Sequence, residues 1–173
     1  VNPEKTRPML SFKHNSQSVT LPEIRNLVRS LDQVIDVDYY IPGCPPTPKL
    51  LKQAVLTLLS GELPPKGAVL SPDEALCEEC PRKESKPEDL TFTNFYRPHE
   101  ILLDKTKCLL SQGVVCMGPS TRAGCEALCI SGNMPCSGCF GPTSRVRDQG
   151  AKMLSSLCSN ISENDEAGID KIL

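Results

Sequence analysis

Eight of the ten cysteines in this 173-residue chain fall between Cys77 and Cys139, and none precedes Cys44. Disulfide scaffolds are short and spread their cysteines throughout. This crowding instead suggests thiolates converging on metal. The pattern reads Cys77-Glu-Glu-Cys80, then Cys108 and Cys116 separated by seven residues, then Cys125, Cys129, Cys136 and Cys139, with a second CxxC at the end. Eight thiols make two sets of four, which suits either two Cys₄ zinc sites or two cubane clusters.

Spacing and neighbours separate these readings. Zinc ribbons usually bring two CxxC knuckles to each metal, whereas each set here has one. Small residues crowd the cysteines (Gly113, Gly118, Gly124, Ser131, Gly132, Gly138, Gly141) and let backbone N–H groups approach sulfur. Pro81 follows Cys80 directly, and Pro119 and Pro142 stand three residues after Cys116 and Cys139. Clusters are therefore favoured over zinc, and a zinc-stabilised Cys₄ interaction module stands as the alternative.

Ahead of the cysteines, residues 20–34 space Leu21, Ile24, Leu27, Val28 and Leu31 as one face of an amphipathic helix, with Thr20 as cap. The run IDVDYYI over 35–41 predicts a strand that stops at Pro42-Gly43. A second helix follows, with Thr47 as cap, Pro48 in its first turn, Leu50, Leu51, Ala54, Val55, Leu58 and Leu59 as its buried face, and Gly61 as its stop. After it, prolines 64, 65, 72, 81, 87 and 98 interrupt every long element, which places a domain boundary at 61–70. Short helices are expected at 71–76 and 105–112, an amphipathic helix at 144–158, and a polar surface tail at 159–173. Organisation there is expected from metal ligation rather than from a continuous apolar core.

Composition narrows the function. A formal charge of −2 with scattered Lys and Arg gives no footprint for nucleic acid. No apolar run approaches the roughly 20 residues of a membrane span. The opening VNPEKTRP shows no signal-peptide pattern, so the expected location is cytoplasmic. No Ser–His–Asp set, phosphate-binding loop or carboxylate pair is present. His14 and His99 lack partners at useful spacing, Glu78 and Glu79 read as solvent-facing, Arg122 as a hydrogen bond beside the second set or a salt bridge, and Cys158 as a buried apolar thiol.

The segment Tyr40-Ile-Pro-Gly-Cys44-Pro-Pro-Thr-Pro resembles the cluster-binding turn shared by [NiFe]-hydrogenase small subunits and a complex I relative, and the run CLLSQGVVCMGPSTRAGCEALCISGNMPCSGCFGP resembles the C-terminal cluster domain of the hydrogenase branch. The resemblance covers nearly the whole chain and is nearest to the cytoplasmic F420-non-reducing, heterodisulfide-reductase-linked or sulfhydrogenase type. It implies that residues 1–65 are the closing part of a flavodoxin-like α/β domain carrying one proximal-cluster ligand, Cys44. It implies that 66–173 form an irregular, mostly helical iron–sulfur domain. There, Cys77, Cys80, Cys108 and Cys116 would hold a distal [4Fe–4S] cluster, and Cys125, Cys129, Cys136 and Cys139 a medial one.

The same resemblance implies an electron-transfer subunit with no catalytic residue of its own, between a nickel–iron large subunit and a flavin or iron–sulfur partner. Two departures affect the clusters. Cys77 replaces the His common in relatives, implying a lower distal potential, and Cys129 adds a fourth medial ligand that favours [4Fe–4S] over a three-iron cluster. A third is that no cysteine before Cys44 supplies the other proximal ligands. Completion of that cluster is expected from a missing or separately encoded N-terminal part, with a non-hydrogenase relay that has lost the proximal cluster as the further alternative.

Overall fold

The computed structural model describes residues 11–22, 26–161 and 169. These belong to two compact units that divide between Val37 and Asp38, rather than at the proline-rich 61–70 stretch.

In the first unit, β1 (Ser11–His14) and β2 (Gln17–Thr20) form an antiparallel hairpin. The connecting residues Asn15 and Ser16 both have positive φ, 47° and 65°, as a two-residue hairpin turn requires. Asn favours such a turn, and it is the one local signal for a hairpin in this stretch. The amphipathic helix expected over 20–34 does not form among the described residues, and Ile24 lies outside them. Only a single 3₁₀ turn, Leu31–Gln33, is present, capped by Ser30. Leu27, Val28 and Leu31 are exposed. Helical spacing is not sufficient, because a short helix draws most of its stability from packing its apolar face.

The second unit opens with a small β–α–β crossover. β3 (Tyr39–Tyr40) pairs in parallel with β4 (Ala68–Val69), and α1 (Pro48–Leu59) lies between them in sequence. The strand expected over 35–41 is thus reduced to its last two tyrosines before Ile41. α1 begins as its sequence dictates: Thr47 Oγ1 accepts the Leu50 N–H at 3.3 Å, and Pro48 occupies the first turn. Gly61, at φ +77°, follows its last turn. Of the predicted buried face only Leu50 and Ala54 are buried, while Leu51, Val55, Leu58 and Leu59 are exposed. Periodicity marks which face is apolar, not how much of it a neighbour covers. Thr47→Ala is expected to lower stability by about 1 kcal/mol, read from the chemical-denaturation midpoint.

The remaining elements are short: α2 (Leu76–Glu79), α3 (Leu128–Ser131) and α4 (Gln149–Cys158). The helix expected at 71–76 begins where that range ends, because the 74–76 segment is held extended against 121–123. Leu76 N–H donates to Thr121 O at 2.8 Å and Ala123 N–H to Glu74 O at 2.9 Å. The helix expected at 105–112 is a 3₁₀ turn, Leu110–Gln112, ended by left-handed Gly113. α4 starts at Gln149 rather than at 144, because Asp148 caps it through the Ala151 N–H.

Contrary to expectation, a continuous apolar cluster organises this region. Leu76, Phe92, Leu109, Val114, Ile130 and Met153 belong to it, and so do Cys116 and Cys136. Phe92 stacks 5.1 Å from Phe95, and its N–H reaches Asn160 O at 2.7 Å, fastening the chain beyond α4 to the core. Of the tail, only residues 159–161 and 169 are described. No helix among the described residues is long and apolar enough to cross a membrane.

Candidate metal centre

All ten cysteines are free thiols. Cys77 sits in the first turn of α2, and Cys80 caps its end with an extended backbone that Pro81 continues. Cys108 precedes the 3₁₀ turn at Leu110, with its N–H held by Ser85 Oγ at 2.7 Å. Cys116 is buried at the start of the Gly118–Ser120 turn. Cys77, Cys80, Cys108 and Cys116 line one cavity, together with Arg82, Gly118 and Ile130.

Cys125 follows Gly124 and precedes Glu126 and Ala127, which have left-handed φ of 59° and 49°. Two such residues in succession are uncommon for side-chain-bearing positions. The turn they make aims the Ala127 N–H back at the Cys125 sulfur. Cys129 lies exposed on α3, Cys136 is buried, and Cys139 is exposed. Cys125, Cys129, Cys136 and Cys139 line a second cavity of about 310 Å³, and Cys44 lines it too. Cys44 is positioned by Gly43, at φ +126°: a β-carbon there would lie 2.6 Å from Pro46 Cα and 2.9 Å from the Phe140 ring, so only glycine fits.

The two cavities adjoin. Ile130 lines both, and the Cys136 N–H donates to Cys116 Sγ at 3.3 Å, so a backbone amide of one quartet touches a sulfur of the other. Cys44, the Cys125 quartet and the Cys77 quartet therefore follow one another in that order.

Whether these residues suit an iron–sulfur cluster is tested by what surrounds the sulfurs. Arg82 N–H points at Cys80 Sγ (3.4 Å) and Gly138 N–H at Cys136 Sγ (3.4 Å), in addition to the Cys136–Cys116 bond. Amides aimed at sulfur are what thiolate ligation needs. A β-carbon on Gly118 would stand 3.2 Å from Cys77 Sγ, intruding on the sulfur-lined space. Among the described residues no three Cys, His, Asp or Glu side chains are drawn to the spacing that one metal ion demands. Tetrahedral zinc, with bonds of about 2.3 Å, needs its sulfurs about 3.8 Å apart, whereas a cubane offers each thiolate its own iron. The residues fit a cluster.

Burial pushes the Cys77 thiol up to about 12, aided by the neighbouring thiols of Cys116, Cys108 and Cys80 and opposed by Lys86. Burial likewise pushes Cys125 up to about 11, and it raises Cys116 and Cys139. Without a metal these thiols hold their protons, so ligation must release protons as it proceeds.

Several residues behave differently from what their sequence neighbourhood suggests. Glu79 is not solvent-facing: its Oε1 accepts the N–H groups of Gly124 (3.0 Å) and Cys125 (3.1 Å), tying α2 to the start of the second quartet. Glu78 does face solvent and pairs with Lys83 at 2.7 Å. Cys158 is exposed and lines neither cavity, because α4 turns Met153 and Leu157 inward instead. Arg122 is buried and salt-bridged to Asp73 at 2.9 Å, also donating to the Pro142 and Pro72 carbonyls. His14 and His99 are exposed and line neither cavity.

No protein-family profile matches the chain. Individual relatives do. An F420-non-reducing hydrogenase subunit of Methanothermobacter thermautotrophicus is 42% identical over 154 residues, covering 88% of this chain and 48% of the relative. The F420-non-reducing hydrogenase iron–sulfur subunit of Archaeoglobus profundus is 37% identical over 166 residues, 95% of this chain and 52% of the relative. For the F420-non-reducing hydrogenase subunit of Methanothermus fervidus, 45% identity over 94 residues takes in 54% of this chain and 73% of the relative. The chain belongs to this family of F420-non-reducing hydrogenase iron–sulfur subunits. It spans about half the length of the curated relatives it matches first.

In this hydrogenase-family chain, one further residue was not singled out by its sequence pattern. Arg82, two positions after Cys80, is buried and lines the Cys77 cavity. Its position directly after Cys80-Pro81 was the available signal.

Proposed function

We propose that this chain is an electron-transfer part of a [NiFe]-hydrogenase small subunit, carrying a distal [4Fe–4S] cluster on Cys77, Cys80, Cys108 and Cys116 and a medial one on Cys125, Cys129, Cys136 and Cys139. The observation that carries this reading is the gathering of eight thiols into two quartets around adjoining cavities, in a member of a hydrogenase family. When bound, such clusters accept and release single electrons at potentials set by charge, hydrogen bonds and solvent. The chain's own contribution is to direct amides at sulfur, keep Cys116 and Cys136 away from water and hold the two quartets in contact.

Cys44 would ligate a third, proximal cluster completed outside this chain, and its place at the edge of the medial cavity supports a linear relay from proximal through medial to distal. Residues 1–65 would then be the closing part of a flavodoxin-like domain. The partners would be the nickel–iron large subunit, the remainder of the small subunit, and a flavin or iron–sulfur acceptor in the cytoplasm. Exposed Leu51, Val55, Leu58 and Leu59 on α1 support assembly into such a complex.

Anaerobically purified protein is expected to contain roughly eight irons with matching sulfide, and to show broad visible absorbance bleached by dithionite. A colourless protein with about two zincs would overturn the reading in favour of a Cys₄ interaction module.

A further inference from the structure

Arg82 is 5% exposed, yet it takes part in none of the ion pairs among the described residues. Its guanidinium donates only to neutral oxygens: Ile130 O at 3.0 Å, Asn133 Oδ1 at 2.8 Å, Lys107 O at 3.2 Å and Asp104 O at 3.4 Å. The Asp104 carboxylate is engaged elsewhere, with Thr106 and Lys107. Neutral acceptors satisfy the N–H groups but leave the charge uncompensated, and a buried charge normally has a counter-charge. On one side Arg82 meets the carbonyl of Ile130, which lines both cavities; on the other it lines the space ringed by Cys77, Cys80, Cys108 and Cys116.

We infer that Arg82 is the fixed counter-cation of the Cys77 quartet, a positioning residue that holds the group bound there at a raised reduction potential. The inference rests on the cluster reading above. A cubane on four thiolates carries net negative charge that grows by one on reduction, so a cation fixed beside it in a poorly solvated site favours the reduced state. The planar fork of Arg suits this role because its acceptors come from two loops, one leading into Cys108 and one leaving Cys129, and they hold the charge in one place. Lys86 also faces Cys77, but it is exposed and screened by water.

The test is an EPR-monitored dithionite titration of the intact, cluster-loaded protein, with iron analysis, for the wild type and the variants Arg82→Gln, Arg82→Lys and Lys86→Gln. In Arg82→Gln one of the two midpoints is expected to fall by at least a tenfold change in its reduction equilibrium, about 59 mV for one electron, with the other moving less. Arg82→Lys retains most of the wild-type value, and Lys86→Gln moves it less than tenfold. If Arg82→Gln instead loses about half its iron while Arg82→Lys keeps it, the need for charge is equally supported. Wild-type potentials in both Arg82 variants, equal loss of iron from both, or an equal shift in Lys86→Gln would overturn the inference and leave the cluster reading intact. Zinc in place of iron in the wild type would overturn both.

Discussion

Cys77→Ala leaves the protein with about half its iron, roughly four atoms in place of roughly eight, while the second cluster keeps its EPR signal. Cys77 lies in the wall of a cavity whose other thiols are Cys80, Cys108 and Cys116, and its own thiol senses all three. None of those four lines the other cavity, where Cys125, Cys129, Cys136 and Cys139 stand. A cubane needs four ligands, so loss of one from a half-buried site empties that site and spares its neighbour. Cys125→Ala produces the reciprocal loss. Cys158→Ala, an exposed thiol outside both cavities, loses none. Iron and sulfide analysis of the three variants decides the matter: full iron in Cys77→Ala, or a loss in Cys158→Ala, would defeat the division of the thiols.

The second large effect is on stability. Phe92 is 2% exposed within the cluster that includes Leu76, Leu109, Val114 and Met153. Truncation to alanine removes a whole ring from a close-packed region and leaves a cavity, for an expected loss of about 3–5 kcal/mol. Against a typical total of about 5–15 kcal/mol, this is a large share. Because Phe92 also draws in the chain beyond α4 through Asn160, the loss extends to the α4 packing that supports Gly138 through Gln149. Phe12→Ala, on the exposed hairpin, is expected to change stability by less than about 0.5 kcal/mol. Denaturant titration of the two variants should separate them clearly; equal midpoints would show that Phe92 does not anchor the core.

What was legible in the sequence was local. Thr47-Pro48 start α1 and Gly61 follows its end because cap and stop chemistry act within a few residues. The same reasoning failed at 20–34, where apolar spacing suggested a helix but nothing covers Leu27, Val28 and Leu31. It also shifted α2, since the strand-like pairing of 74–76 with 121–123 involves partners nearly fifty residues away. That pairing is invisible to any window along the chain.

The chemistry divides in the same way. Sequence alone determined that eight thiols crowd between Cys77 and Cys139, that glycines surround them, and that metal ligation is what such crowding serves, because thiol count and neighbour size are properties of the chain. Only the tertiary structure decided which thiols face the same space, that Cys44 reaches the Cys125 quartet, and that Cys116 and Cys136 meet across the gap. It also decided that Glu79 turns inward to the amides of Gly124 and Cys125, and that Arg82 is buried among carbonyls. A charged side chain beside a CxxC is solvated by default. Its fate depends on which backbone dipoles the fold sets opposite it, and those come from residues 104–107 and 130–133, far along the chain.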